Sequence, residues 1–319
     1  MTFAYAAPQN VIIPRGLGDG DRRPRVFAHR GASSSHAEHT RAAYSAAIDA
    51  GADGIEIDVQ LTRDREVVCF HDATVNRTTD GRGAVADHTL AQLRQLDVHS
   101  WHSPSFPAGY GAASEQLMTL RDVVELLAAQ GREIALAIEL KHPSPFGREV
   151  EERVLAVLLA AGWDPRTSTI PVPGRAGRAG CRIVVSFMSF SPAALIHLSS
   201  LVPPEALGAV FTSSLAHSGG GLAPARRASP LGRVRAAVRR GVSRDAQAMV
   251  WNRHVGIAVP DMGFVRRHGA DISAWLSRDV RVRAWTADSR EELMMLARRG
   301  VPEIVTNDPE KALLVVSRG

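Results

Sequence analysis

Two short segments of this 319-residue chain carry charged residues two apart between apolar ones. In Gly54-Ile-Glu-Ile-Asp-Val59, Glu56 and Asp58 alternate with Ile55, Ile57 and Val59. In Ala137-Ile-Glu-Leu-Lys141, Glu139 and Lys141 alternate with Ile138 and Leu140. Residues i and i+2 of a strand share a face, so each segment as a strand has one apolar face and one charged face. Charge facing a packed core is costly unless it is paired or bound to a metal. Glu56, Asp58 and Glu139 together offer three carboxylates, and hard divalent cations such as Mg2+ or Ca2+ prefer oxygen ligands. A salt-bridge cluster of Lys141 and the arginines would explain either strand alone; the same pattern on both favours a metal site. Two histidines complete the set: His29 in Phe27-Ala-His-Arg-Gly31 and His71 in Cys69-Phe-His-Asp72, each just past a short apolar run. A lone histidine is by default structural, but two at matching strand ends suggest a general acid and a general base. Arg30 has the planar donors to grip a phosphate, and Gly31 allows a sharp turn beside it.

These side chains need strands that end at a common mouth. Strands are expected at Val26–Ala28, Gly54–Val59, Glu66–Phe70, Ile134–Leu140, Arg182–Ser186, Ala209–Phe211, Val280–Trp285 and Glu303–Val305. Helices are expected at Thr40–Ala50, Leu120–Gln130, Arg148–Ala161, Arg290–Arg299 and Pro309–Val316, the first three closed by Gly51, Gly131 and Gly162. Alternation of this kind builds a parallel sheet with crossover helices, and about eight units favour a closed (β/α)8 TIM barrel over an open sheet. No GxGxxG or GxxxxGK[ST] follows a strand, which argues against a nucleotide fold. The expected organisation is a tail or strap at 1–24 and a single barrel domain at 25–319. A small insertion after the third strand, 73–119, holds a helix around Leu90–Leu96 and the polar–aromatic run His99–Tyr110. Segments 167–180 and 218–230, rich in Gly, Pro, Ala and Arg, read as surface loops.

The net charge of +5 rests on arginine, since Lys141 and Lys311 are the only lysines. A basic field favours anionic substrates. Zinc-finger spacing and RNA-binding signatures are absent, so nucleic acid is not expected as the main partner. Cys69 and Cys181 are expected as two buried free thiols, in keeping with a reducing compartment. No apolar run suggests a secretory signal or a stable membrane insertion, and the expected location is cytoplasmic. The remaining histidines form no zinc motif and most are expected at the surface; His39 and His142 stand out because they neighbour the motif residues.

The motifs resemble those of the glycerophosphodiester phosphodiesterase family. The carrying residues are His29-Arg-Gly31, Glu38-His-Thr40, the run Gly51 to Asp64, His71-Asp72, Arg77-Thr-Thr79, Glu139-Leu-Lys141, Trp285-Thr286 and Thr306-Asn-Asp-Pro309. They occur in family order, and the stretch from His29 to Thr79 is the most specific. The resemblance implies a (β/α)8 barrel that splits a small-molecule glycerophosphodiester into sn-glycerol 3-phosphate and an alcohol. Glu56, Asp58 and Glu139 then look like ligands of a divalent Mg2+ or Ca2+ ion, and His29 and His71 like the acid–base pair. Arg30 and Lys141 look like phosphate contacts, and Trp285 like an aromatic residue at the barrel mouth. One departure stands out: where the family usually has Pro-Glu-Asn-Thr, this chain has Ala37-Glu-His-Thr40. A sphingomyelinase D-like or lysophospholipase D-like enzyme is the nearest alternative, but it would need an acyl-chain trough that no segment suggests. A catalytically silent barrel is disfavoured because every main position is filled. Oligomeric state is not legible in the sequence.

Overall fold

The computed structural model describes residues 23–103, 105, 107–174, 179–213 and 230–317. Its strands are β1 (Arg25–His29), β2 (Gly54–Leu61), β3 (Val67–Cys69), β4 (Ile134–Leu140), β5 (Thr169–Val172), β6 (Cys181–Ser189), β7 (Leu207–Phe211), β8 (Ile257–Pro260), β9 (Arg281–Ala284) and β10 (Glu303–Thr306). The helices are α1 (Arg41–Asp49), α2 (Leu90–Leu93), α3 (Leu120–Ala128), α4 (Glu149–Ala160), α5 (Pro192–Ser199), α6 (Pro230–Trp251), α7 (Met262–Arg267), α8 (Gly269–Leu276), α9 (Arg290–Arg298) and α10 (Pro309–Val316). Eight strands, β1, β2, β4 and β6 to β10, pair in parallel, and β1 closes the ring by bonding both β2 and β10. This is the expected (β/α)8 barrel.

The other two strands depart from the expected rhythm. β3 runs antiparallel to Val59–Leu61, the end of β2, where Gln60 and Leu61 project beyond the pairing with β4, so it lies outside the barrel. His71 therefore reaches the mouth from a hairpin and not from a barrel strand. β5, inside the segment expected as a 167–180 loop, pairs antiparallel with β6. The elements α5, α6, β8, α7 and α8 were not anticipated. Of the expected tail, residues 1–22 lie outside the described residues; Arg23 is described, and its guanidinium meets Asp53 at 2.6 Å. The expected loop at 218–230 likewise lies outside the described residues, except that Pro230 opens α6. Cys69 is buried as expected, but Cys181 is only half-buried, because it opens β6 at the edge where β5 pairs.

Alternation along the strands divides the core. Ile55, Ile57, Val59, Leu136, Ile138 and Leu140 face outward into the main apolar layer under the helices. The inward face holds a smaller plug that includes Phe27, Ala137, Met188, Val210, Val259 and Val305. Gly54 makes room for it: a Cβ there would fall 2.5 Å from the Phe27 ring. Glu139 follows the plug residues Ala135 and Ala137 along β4 toward the C-terminal mouth; Asp58 stands level with it and Glu56 level with Ala137. Arg283 and Glu303 precede the plug, toward the opposite end. The insertion at 73–119 has its own apolar cluster, including Phe70, Val75, Val85, Leu93 and Leu117, so it is a packed unit beside the mouth.

Candidate active site

At the mouth, Glu56, Asp58 and Glu139 converge, each offering a carboxylate oxygen within 4.8 Å of the others. All three are buried, Glu56 and Asp58 to 1% exposure. Adjacent pairing of β2 and β4 puts Asp58 opposite Glu139 in register, which is why residues 81 apart in sequence meet. Lys141 Nζ lies 2.7 Å from Glu139 Oε1 and 3.1 Å from Asp58 Oδ1. Burial and the neighbouring charges of Asp58 and Glu139 push the Glu56 carboxyl well above the usual carboxylate range. Burial would raise Asp58 too, but Lys141, Arg30 and His39 together hold it well below its ordinary value. Burial raises Glu139. Three converging carboxylates, one of them resisting ionisation beside its neighbours, are a donor set that a hard divalent cation fits.

The β1 turn supplies the next group. Arg30 takes φ 58° and Gly31 φ 85°, and a Cβ on Gly31 would sit 2.6 Å from the Ala43 carbonyl carbon, so the chain can double back against α1 only with glycine here. The turn lets Arg30 N–H donate to Glu56 Oε2 at 3.1 Å and brings Arg30 Nη1 to 3.0 Å from Glu38. Arg30 Nε is 3.2 Å from Asp58 Oδ2 but is buried and poorly aligned to bond it. The guanidinium is thus held between two carboxylates, Glu38 and Asp58.

Both histidines are oriented through Nδ1. His29 Nδ1 donates to Asn307 Oδ1 at 2.7 Å, and Asn307 is fixed in turn because its Nδ2 donates to Asp288 at 2.6 Å. Nε2 of His29 is therefore left as an acceptor. Burial and the adjacent Arg30 charge push His29 down to about 3. His71 Nδ1 lies 2.6 Å from Asp72 Oδ1, and Arg77 clamps Asp72 and Glu38 together, with Nε 2.7 Å from Asp72 and Nη2 2.7 Å from Glu38. Burial would raise Glu38, yet the Arg77 hydrogen bonds and the Arg30 charge hold it down to about 2. Arg77 thus ties the insertion to the β1 turn. A cavity of about 490 Å3 opens beside His29 and Arg30, lined also by Ser33, Glu38, Asp288 and Lys311.

Trp285 is half-buried over the barrel plug. Its Nε1–H donates to the Val259 carbonyl at 2.9 Å, and its ring meets Phe190 edge-on at 5.8 Å. The unassigned histidines separate sharply. His39, only 4% exposed, bonds Asp58 and Tyr44, whereas His142 pairs with Glu151 behind Lys141. His99, against the general expectation, is buried within the insertion.

This constellation has known counterparts. The model of the glycerophosphoryl diester phosphodiesterase family matches residues 29–311. The chain belongs to that family. A Mycobacterium tuberculosis protein named as a probable glycerophosphodiester phosphodiesterase 1 is 38% identical over 276 residues, covering 84% of this chain and 94% of the relative. A glycerophosphodiester phosphodiesterase of Caldanaerobacter subterraneus subsp. tengcongensis is 27% identical over 294 residues, 92% of this chain and 98% of the relative. Among solved structures, an Oleispira antarctica phosphodiesterase in complex with the product sn-glycerol-3-phosphate superposes with a TM-score of 0.66. It is 23% identical over 92% of this chain and 97% of that one, a likeness of fold. Membership in the glycerophosphoryl diester phosphodiesterase family makes the chain a phosphodiester hydrolase, and the buried triad is compatible with a divalent metal. No helix of the described residues is long and apolar enough to cross a membrane. Of the groups that orient the candidate site residues, Asp72, Asn307 and Glu38 are visible in the sequence only as motif neighbours. Asp288, which fixes Asn307 across 19 residues, carried no sequence signal.

Proposed function

We propose that Glu56, Asp58 and Glu139 hold a Mg2+ or Ca2+ ion, and that His29 and His71 exchange protons with a glycerophosphodiester to release sn-glycerol 3-phosphate and an alcohol. The observation that carries this reading is the convergence of three buried carboxylates within 4.8 Å at the C-terminal mouth of the barrel, where barrel enzymes keep their chemistry. A bound divalent ion would supply charge neutralisation and Lewis-acid polarisation of the phosphoryl group. Arg30 and Lys141 bind the non-bridging oxygens and orient phosphorus. His29, with Nδ1–H committed to Asn307, accepts at Nε2 the proton of the attacking hydroxyl, from water or the glycerol 2-hydroxyl. As the new O–P bond forms and the P–O bond to the leaving alcohol breaks, His71 gives a proton to the departing oxygen. Attack by water gives sn-glycerol 3-phosphate directly; attack by the glycerol 2-hydroxyl gives a cyclic glycerol phosphate, which water then opens at the bond to the 2-oxygen, His71 taking the water's proton and His29 returning one to that oxygen. Asp72, 2.6 Å from Nδ1, holds the ring of His71 in place for that transfer. Trp285 offers an apolar wall beside the glycerol. In this reading the domain at 25–319 acts as one catalytic unit in the cytoplasm.

The test is a product assay on a panel of deacylated glycerophosphodiesters and lysophospholipids, with Mg2+, Ca2+ and chelator arms. Turnover of the water-soluble diesters that stops on metal removal is expected. A strong preference for lysophospholipid at matched concentration would move the activity to a lysophospholipase D-like reaction. Full turnover in excess chelator, after verified metal removal, would dismiss the metal site.

A further inference from the structure

His39 occupies the third position of Ala37-Glu-His-Thr40 and is bonded at both ring nitrogens inside the protein. Its Nε2 lies 2.9 Å from Asp58 Oδ2 and its Nδ1 lies 2.8 Å from the Tyr44 hydroxyl. The ring is 4% exposed and Tyr44 is fully buried on α1. A carboxylate oxygen only accepts, so Nε2 carries the hydrogen and donates to Asp58. In the neutral ring, Nδ1 then accepts from the Tyr44 O–H. The Cys69 thiol, on β3, lies near the same hydroxyl. The backbone is pinned as well: His39 takes φ 61° and its N–H donates to the Arg30 carbonyl at 3.0 Å. The imidazole is therefore a rigid strut between helix α1 and one oxygen of a site carboxylate.

The strut decides which way Asp58 faces. Its Oδ1 meets Lys141 and its Oδ2 meets His39, so rotation about the Cβ–Cγ bond would break two contacts. Arg30 Nε, though 3.2 Å away, is not aligned to replace the imidazole donor. Groups that bond a ligand's outer atoms fix its orientation and its basicity. Side-chain length matters here. An asparagine amide ends near the place of Nδ1 and falls short of Asp58 from this backbone. A glutamine amide reaches about as far as Nε2 and keeps the donor.

We infer that His39 is a positioning residue: braced by Tyr44, it locks the Asp58 carboxylate in the orientation that receives a divalent cation. The inference rests on reading Glu56, Asp58 and Glu139 as the metal site.

The experiment is calorimetric titration of metal-stripped full-length protein with Mg2+ and with Ca2+, alongside thermal melts in chelator. His39→Asn and His39→Ala are expected to raise the dissociation constant of the preferred ion at least about tenfold, within the range for loss of a ligand's outer partner. His39→Gln is expected to stay within about threefold of wild type, and Tyr44→Phe to fall between the two. Tyr44→Phe should add nothing once His39 is asparagine. A mere packing role would shift the melts in chelator without separating Gln from Asn in affinity. Wild-type affinity in His39→Asn, or equal losses in the Asn and Gln variants, would overturn the inference. Should His39→Ala fail to fold, the Asn and Gln pair decides. Wild-type protein that binds neither ion would defeat the metal reading itself, and the inference with it.

Discussion

The two ends of the barrel both bury charge, and they do it in opposite ways. Toward the N-terminal end, Glu303 is 1% exposed and faces three guanidinium groups: Arg283 at 2.8 Å, Arg281 at 3.5 Å and Arg25 at 3.6 Å. Arg283 also donates to Ser186 at 3.0 Å and lies 4.3 Å over the Phe27 ring. The void there is about 10 Å3, room for about one water. Charge at that end is neutralised in place by three cations and closed off, although Glu303 Oε1, like Arg30 Nε at the mouth, makes no hydrogen bond. At the mouth, three carboxylates converge on one another, and beyond Arg30 a cavity of about 490 Å3 opens, lined by His29, Arg30 and Glu38 but by none of the three. A buried charge by itself is weak testimony to function, because structural ion pairs also perturb carboxylates. Convergence of like charges, with an open cavity next to the neighbouring Arg30, is what sets the mouth apart from the closed end.

That contrast can be broken most decisively at the triad. Glu56→Gln, Asp58→Asn and Glu139→Gln should each lower kcat/KM about 1,000-fold, since metal-assisted charge stabilisation is worth several kcal/mol. Metal affinity by calorimetry should weaken in parallel while the fold persists by circular dichroism. A triad variant with near-normal turnover would make the mouth another structural cluster. Next come the histidines. His29→Ala and His71→Ala should each cost at least about 100-fold in kcat, the lower end for general acid–base catalysis, with metal affinity unchanged. Either variant retaining ordinary turnover would reduce that histidine to a structural group.

Lys141→Arg sharpens the comparison, because the other end shows that this barrel buries guanidinium readily. At the mouth the compact ammonium touches Asp58 and Glu139 at once, and a planar guanidinium would displace one of them. About a tenfold loss in kcat/KM is expected with an unchanged melting temperature. Wild-type kinetics would mean that Lys141 contributes only diffuse positive charge.

How much of this was legible depended on whether the signal was local. Glu56, Asp58, Glu139 and Lys141 could be placed on strand faces because alternation is a two-residue pattern, and the outward Ile55, Ile57, Ile138 and Leu140 do line the main core. His29 and His71 were visible as residues closing short apolar runs. The direction of β3 was not, since a three-residue strand carries no mark of parallel or antiparallel pairing. Helix α5, Pro-Ala-Ala-Leu-Ile-His-Leu-Ser, offers little amphipathic contrast, and α7 and α8 are six and eight residues long, separated only by His268. The Asn307 bond to His29 spans 278 residues, and the pairing of Arg283 with Glu303 depends on adjacent barrel strands, so neither leaves a local trace. His39 was conspicuous as a departure from the motif, but its bond to Asp58 needed the turn at Arg30 and Gly31 to exist.

The smallest expected effect on catalysis belongs to the closed end, and it completes the contrast. Glu303→Gln removes the anion that Arg283 was buried against, so stability at neutral pH should fall by about 3 kcal/mol, as when one partner of a buried pair is lost. Turnover per folded molecule should stay within about twofold, because the apolar plug lies between this pair and the mouth. The pH dependence identifies the cause. Burial would raise the Glu303 carboxyl, but Arg283, with Arg281 and Arg25, holds it down to about 2 against an ordinary value of 4.5. A depressed carboxylate stabilises the fold in full above its unfolded value and loses that contribution as pH falls toward its folded value. The window is thus from about pH 4.5 down to about pH 2. Other carboxylates, Glu38 among them, also lose stabilisation in acid, so the quantity to follow is the difference between wild type and variant. Chemical denaturation at a series of pH values should show a gap that is full at pH 7 and narrows through the window, because protonated Glu303 and glutamine are nearly the same group. A gap that stays constant with pH would assign the loss to packing, and the closed end would then owe nothing to its ion pair.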